Sequence, residues 1–318
     1  MTNDKAKGFS LKWNKSHGVN KPKRKKINKG QLIFYICMMT IPIIFGVFYD
    51  VYLKLSTFNF MFKAEDQTSF GFFYINWAFE ELLTSGSDMQ RALKFFFQIF
   101  LIYNFICMPT QVIMSYFFTK KIPGTMFFRI LFYTPTLISG VVTTLVFGLM
   151  MDGDFGVVPP LLEKLGMSIP LEGLMYSSKT AFTSLMGYEI WISFGVSTLI
   201  YTAAINKIPQ DLFEVGRLDG AGMLHELLYI VFPMISPILS VGFLQNTTTG
   251  FNIYTELLLL TDPTQSGLTT VSYMINEGAK ARKYCNSAAI GFVFTLIAIP
   301  VISGMRKAFD KLLPDVSV

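Results

Sequence analysis

Between two long apolar segments lies a polar sequence, KIPQDLFEVGRLDGAGMLHELLYIVFP, which occupies residues 207–233. Seven of its 27 positions are Lys, Arg, Asp, Glu or His. Charges at this density are too costly to place in hydrocarbon. The stretch is therefore predicted to lie outside a lipid bilayer, as a loop between two membrane-spanning segments.

The composition of residues 207–233 nevertheless differs from that of an ordinary loop. Pro209 suits the first turn of a helix, and the residues that follow it alternate between apolar and charged side chains. We expect one or two short helices that dock against another surface. The short apolar face consists of Leu212, Phe213 and Val215. Three glycines permit sharp reversals and close approach of another backbone, namely Gly216, Gly220 and Gly222.

The overall composition is that of a membrane protein. The 318 residues are 52% hydrophobic and 15% charged, with a mean hydropathy of +0.45, whereas soluble domains carry roughly 25% charged residues. We therefore predict an all-α polytopic fold. The three cysteines are isolated and there are only two histidines, so the sequence predicts no metal site.

Six apolar segments approach the ~20 residues that cross ~30 Å of hydrocarbon. The second and fifth contain prolines, which membrane helices tolerate where neighbouring groups satisfy the freed carbonyls. The predicted spans are residues 31–53, 93–118, 126–151, 181–205, 227–250 and 286–304.

The distribution of Lys and Arg predicts the orientation. With the N-terminus inside, 18 of the 27 basic residues lie on the inner side, as cytoplasmic loops prefer. Ten of them are in residues 1–30, which we interpret as a disordered cytoplasmic tail on anionic lipid. The prediction is then a membrane domain at 31–310, a short cytoplasmic tail at 311–318 and both termini in the cytoplasm.

The spacing within residues 207–233 resembles the cytoplasmic motif of the permease subunits of ABC importers. That motif is Glu-Ala-Ala, three residues, Gly, nine residues and then Ile-x-Leu-Pro. Here Glu214-Val215-Gly216 is followed at the same spacings by Gly220 and by Ile230-Val231-Phe232-Pro233. Asp219-Gly220-Ala221 is similar to the sugar-importer branch. Val215-Gly216 replaces Ala-Ala, and Phe232 replaces Leu. The glycine costs the short helix roughly 1 kcal/mol against Ala, so a less rigid docking helix is expected.

The resemblance implies about six transmembrane helices with a cytoplasmic coupling helix between the fourth and fifth. It also implies a second permease subunit, usually a different chain, two cytoplasmic ABC ATPase subunits and an extracytoplasmic solute-binding protein. ATP and Mg would be bound by the ATPase partners, with no cofactor in this chain. We expect Phe213, taken as exposed, to be the apolar anchor in an ATPase groove. The predicted coupling residues are Phe213, Glu214, Gly216, Asp219, Gly220 and Ala221.

Polar residues at the predicted membrane depth indicate a candidate substrate pathway. Glu189 lies eight residues inside the fourth segment, where an ionisable group favours a function. Alternatively, the span begins later and Glu189 lies at the outer interface beside Trp191. The polar run at residues 245–252 is expected either to exchange hydrogen bonds with a polar solute or to hold helices together. The predicted pathway residues are Tyr188, Glu189, Asn246, Thr248, Thr249 and Asn252.

The sequence contains no Gly-x-x-x-x-Gly-Lys-Ser/Thr phosphate loop and no recognisable catalytic constellation. We therefore predict a non-catalytic permease subunit in the cell membrane. It would move a sugar, an oligosaccharide or a related polar solute by alternating access. The alternative is a secondary transporter or channel that works alone, for which intramembrane charge pairs or an inverted repeat would be the signs.

Overall fold

The computed structural model describes residues 29–64, 68–120, 122–170 and 173–312. Among these residues the only strand-like pairing is a single bridge between Lys63 and Phe70, and the predicted all-α class is confirmed. The helices are α1 (Lys29–Met61), α2 (Phe73–Leu83), α3 (Asp88–Thr119), α4 (Thr125–Leu137), α5 (Gly140–Met151), α6 (Val158–Lys164), α7 (Ala181–Ile205), α8 (Gln210–Leu218), α9 (Met223–Met234), α10 (Ser236–Asn252), α11 (Thr255–Leu260), α12 (Pro263–Ser266), α13 (Val271–Lys280) and α14 (Tyr284–Leu312).

The chain divides into two compact units, residues 1–56 and 57–318. The described part of the first unit is helical and includes a π-helical stretch at Val47–Leu53. The second unit contains every residue of the candidate functional site. The predicted tails fall almost wholly outside the described residues, so their boundaries stay predictions.

Among the described residues, four helices have the length and composition to cross a membrane, and the number rises to six if each of two bent helix pairs is one span. The four helices are α1, α3, α7 and residues Tyr284–Lys307 of α14. The bent pairs are α4 with α5 and α9 with α10. These helices and pairs coincide with the six apolar segments expected from the sequence, although the third and fifth segments are broken rather than continuous.

The third span bends by 111° between α4 and α5. Pro135 lies in the last turn of α4 and has no backbone N–H to donate to the carbonyl four residues earlier. Ile138 then adopts extended backbone angles, Ser139 lies outside the helical region, and α5 begins at Gly140. The sequence predicts one continuous span at residues 126–151, because the apolar segment continues through Pro135.

The fifth span bends by 77° between α9 and α10. The break is at Ile235, which lies between Pro233 and Pro237. Neither proline can donate a backbone hydrogen bond, so one helical hydrogen bond is missing on each side of Ile235. These prolines were expected to be tolerated in a continuous helix, whereas they bend it sharply.

Helix α7 is the centre of the packing in the second unit. Helix α3 lies against it through polar contacts, in which Gln111 Nε2 donates to Ser193 Oγ at 3.1 Å and Ser115 Oγ donates to the Thr198 carbonyl at 3.1 Å. Helix α4 approaches α7 so closely at Gly195 that a Cβ there would lie 2.1 Å from a methyl group of Thr136. Small residues allow this kind of backbone approach between membrane helices.

Candidate functional site

The predicted docking helix forms, as α8, between the fourth and fifth spans. Pro209 immediately precedes its first residue, Gln210, with backbone angles outside the helical region. Asp211 lies in the first turn and Arg217 in the last. Each charge has the sign that the helix dipole favours at its end.

The turn after α8 explains why the motif requires a glycine at position 220. The Ala221 amide donates to the Gly216 carbonyl at 2.8 Å, and the Gly220 amide donates to the Arg217 carbonyl at 3.0 Å. This pair of hydrogen bonds is a Schellman motif, which places the residue after the C-cap in the left-handed region. Gly220 has a φ of +80°, so the predicted reversal is present.

The glycine that departs from the family motif packs inside the chain. A Cβ built on Gly216 would lie 3.0 Å from Ile230 Cδ1 and 3.7 Å from Ala221 Cβ. Gly216 therefore allows the start of the fifth span to lie against α8. This packing gives the Gly216 departure a structural reason, namely contact with Ile230.

Gly216→Ala is expected to preserve the stability of the fold. The new methyl group would lie 3.0 Å from the mobile end of Ile230 and 3.7 Å from Ala221 Cβ, and alanine favours a helix over glycine by roughly 0.5–1 kcal/mol. Thermal unfolding of the purified protein measures this. Gly216→Leu is the matched control, because its larger side chain displaces Ile230, and it is expected to lower the unfolding temperature. A lower unfolding temperature in the alanine variant would contradict the packing assigned to Gly216.

The expectation of an exposed Phe213 is wrong. Its side chain is 7% exposed and lies in a hydrophobic cluster with Tyr116, Leu227 and Val231. The reason is geometric, since α8 is amphipathic and turns this position toward the start of the fifth span. Phe213 cannot anchor a partner while it is packed in this way.

The opposite face of α8 is open. Glu214, Val215 and Leu218 are exposed, with Leu218 87% exposed, and Asp219 and Gly220 continue the exposed surface beyond the helix. Ala221, the last predicted coupling residue, is half-buried. Apolar side chains next to carboxylates on one short helix form a surface suited to a protein groove.

One charged cluster was missed by the sequence analysis. We call it the Glu226 junction, and it consists of Tyr116, Lys120, Phe213, Arg217 and Glu226. The Glu226 side chain is buried, and its Oε2 accepts hydrogen bonds from Lys120 Nζ at 2.6 Å and the Tyr116 hydroxyl at 2.5 Å. Its Oε1 accepts from Arg217 Nε at 3.0 Å. Lys120 Nζ also lies 5.4 Å from the centroid of the Phe213 ring.

A buried acid requires a partner. The position of Glu226 at the start of an apolar segment was therefore the signal available in the sequence. Its partners on α3 lie 106 and 110 residues earlier in the chain. No local spacing relates these positions, so the cluster appears only after folding.

Glu189 is buried within the bundle. Helix α7 begins at Ala181, as predicted, and the Glu189 side chain is 7% exposed. The Tyr103 hydroxyl of α3 lies 2.9 Å from its Oε2. Whether Glu189 lies in the pathway or at the outer interface beside Trp191 depends on where the membrane begins, so both interpretations stay predictions. Oε1 has no hydrogen-bond partner among the described residues.

Tyr103→Phe is expected to lower the free energy of unfolding by about 1–3 kcal/mol, because it removes the hydroxyl that bonds a buried carboxyl group. The measurement is thermal unfolding in detergent. Tyr229→Phe is the matched control, since Tyr229 is 68% exposed, and it is expected to unfold like the unmodified protein. Equal unfolding temperatures for all three proteins would contradict the role given to Tyr103.

The predicted pathway residues do not lie along one continuous surface. Tyr188 is buried with its hydroxyl 2.7 Å from Thr144 Oγ1, and the buried Asn246 donates through Nδ2 to the Tyr103 carbonyl at 3.4 Å. Together with Glu189 they form a polar core between α3, α5, α7 and α10. The remaining residues follow the other side of α10, where Thr248 and Asn252 are exposed and Thr249 is half-buried.

No protein-family model matches the chain. Curated relatives include a probable ABC transporter permease protein of Bacillus subtilis, YurN, which is 30% identical over 187 residues, 58% of this chain and 64% of that protein. The arabinooligosaccharides transport system permease protein AraP of the same species is 27% identical over 206 residues, 62% of this chain and 64% of that protein. The chain thus spans less than two thirds of the length of these relatives.

A solved structure resembles the chain over a larger part of its length. In the crystal structure of a bacterial ABC transporter that imports the acidic polysaccharide alginate, one chain superposes with a TM-score of 0.74 at 20% identity. The match covers 90% of the present chain and 98% of that one. At this identity the likeness establishes the fold.

Proposed function

We propose that this chain, which belongs to the family of ABC transporter permease subunits, is a membrane subunit of an ATP-driven importer of a polar saccharide. The observation that carries the proposal is the two-faced helix α8. Its inner face is packed by Phe213, and its outer face presents Glu214, Val215 and Leu218. A short helix held in this way outside the spans is suited to receive a separate protein.

The partner at α8 is an ABC ATPase that binds ATP and Mg, and this chain is the non-catalytic subunit. The absence of a phosphate loop from the full sequence supports this division of roles. Two such ATPases would act with this chain and a second, different permease chain. Closing of the ATPase dimer around ATP would move α8 and change which side of the membrane the solute can reach.

The second permease subunit is proposed to cover the exposed face of α10. Gln245, Thr248 and Asn252 present amide and hydroxyl groups along this face, which is costly against lipid tails. Thr248 and Asn252 donate to carbonyls within α10 itself, at 2.8 and 3.2 Å. Their oxygen acceptors stay open for a solute, so this face supports a path for a hydroxyl-rich molecule.

A saccharide is the proposed solute class. The names of the relatives support it, since one is an arabinooligosaccharides permease and another is the trehalose/maltose permease MalF of Thermococcus litoralis, 24% identical over 185 residues. A related crystal structure contains a periplasmic protein bound to an alginate pentasaccharide. We infer that an extracytoplasmic binding protein likewise delivers solute to this chain, at the membrane face opposite α8. Both termini then lie in the cytoplasm.

The test is purification of the tagged chain from its native membranes. We expect an ABC ATPase and a second permease to co-purify, and we expect ATP hydrolysis in proteoliposomes to rise when binding protein and oligosaccharide are added. Uptake by this chain alone, driven by a proton or sodium gradient, would replace the proposal with a secondary transporter.

A further inference from the structure

The Glu226 junction joins three helices through one carboxylate. Oε1 binds Arg217 at the end of α8, whereas Oε2 binds Lys120 and Tyr116 at the end of α3. Glu226 itself belongs to α9. The two oxygens therefore face different elements, and the side chain connects the docking helix to the second span as well as to the fifth.

We expect these contacts to hold the three helix ends together when α8 moves. Glu226 is buried, so separating it from its partners would leave its charge uncompensated. The Arg217 side chain is 59% exposed, so its pair with Glu226 is weaker than the Lys120 pair. Phe213 of α8 completes the enclosure, since its ring lies beside Lys120 and within the same hydrophobic cluster as Tyr116. The Lys120 side chain is only 26% exposed.

The two spans that leave the junction differ in continuity. The fifth span breaks by 77° at Ile235, about two and a half turns beyond Glu226. Helix α3 instead continues as one helix from Thr119 back to Asp88, with Pro109 and the π-helical stretch Ile102–Cys107 inside it. A displacement at the junction therefore has a single helix to follow in the second span.

Helix α3 leads from the junction to the polar core. Tyr103, which bonds Glu189, lies 17 residues before Lys120, or about 25 Å along the helix axis. Gln111 lies between them and donates to Ser193 of α7. A π-helical stretch, Ile102–Cys107, surrounds Tyr103, and such stretches occur frequently at functional sites.

We propose that the Glu226 junction transmits the movement of α8 into the second span, and thereby to the contact between Tyr103 and Glu189 in the polar core. Glu226 and Lys120 are positioning residues in this assignment, since they act through the helices that they join. The inference rests on the proposed function, because it requires an ATPase that moves α8.

The test compares assembly with coupling. Lys120→Met removes the ion pair between Glu226 and the end of α3 and leaves only the Tyr116 hydrogen bond there, while the chain connection between α8 and α9 stays intact. Glu226→Gln removes the charge that holds both links. Lys120→Arg is the conservative variant that retains the positive charge, and Lys307→Met is the matched control, since the exposed Lys307 of α14 forms no ion pair with the described residues.

Each variant is purified in complex and reconstituted with binding protein and oligosaccharide. We expect Lys120→Met and Glu226→Gln to retain the ATPase, while solute moved per ATP falls by about 5- to 150-fold, the usual range of a coupling between sites. Lys120→Arg and Lys307→Met are expected to match the unmodified complex.

Two results would overturn the inference. Unchanged solute transport per ATP in both disruptive variants would show that the junction transmits nothing. Loss of the ATPase from both would show that the junction only maintains the shape of the docking surface. If the unmodified chain itself recruits no ATPase, the proposed function fails first, and that result is distinct from the other two.

Discussion

Phe213→Ala is expected to lower the free energy of unfolding by about 3–5 kcal/mol, the usual cost of removing a buried phenyl ring. The ring is 7% exposed and fills a cluster with Tyr116, Leu227 and Val231. Its loss leaves a cavity between α8 and the start of the fifth span. Thermal unfolding in detergent measures the effect. Uptake is expected to fall as well, because α8 is no longer held against the start of the fifth span.

Leu218→Ala separates stability from docking. Leu218 is 87% exposed at the end of the same helix, so its removal is expected to leave the unfolding temperature unchanged and to weaken retention of the ATPase. The opposite pattern, with a stable Phe213→Ala protein and an unstable Leu218→Ala protein, would mean that the two faces of α8 have been assigned the wrong way round.

Gly220→Val is expected to abolish uptake while the protein still inserts into the membrane. Gly220 has a φ of +80° within the Schellman motif. A β-branched residue is strained there by at least about 1–2 kcal/mol. The turn is expected to rearrange, which displaces Glu214 and Leu218 from their positions on the docking surface.

Gly220→Asn is the matched control for this turn. Asparagine enters the left-handed region more readily than other side chains, and no heavy atom lies within 4 Å of the Cβ position. We expect the asparagine variant to retain uptake, measured as accumulation of labelled oligosaccharide in cells. Uptake by the valine variant at the level of the unmodified protein would refute the requirement for a left-handed residue.

The sequence predicted where the apolar segments lie, because hydropathy and length are sufficient for that purpose. It did not predict the bends at Ile138 and Ile235. Proline alone does not set an angle, since membrane helices accommodate it when neighbouring groups satisfy the freed carbonyls. Whether the helix continues straight or bends at a proline depends on the packing of neighbouring helices, which a hydropathy profile does not contain.

The same distinction applies to the site. The reversal at Gly220 follows from the motif spacing, and the structure places it as expected. The inward direction of Phe213 could not be derived, because Phe213 and Val215 are both apolar and only the tertiary structure decides which of them is covered. The Glu226 junction depends on residues brought together from α3, and sequence spacing gives no sign of that contact.

The two faces of α8 also separate fold stability from partner choice. Phe213 and Gly216 are constrained by the rest of this chain, whereas Glu214, Val215 and Leu218 contact little of it. Substitutions at the three outward positions can therefore accumulate during evolution with little penalty in folding. Through a few such changes, two related transporters in one cell could come to bind different ATPases. The same positions are where a designed transporter–ATPase pair that excludes the natural partners would be encoded.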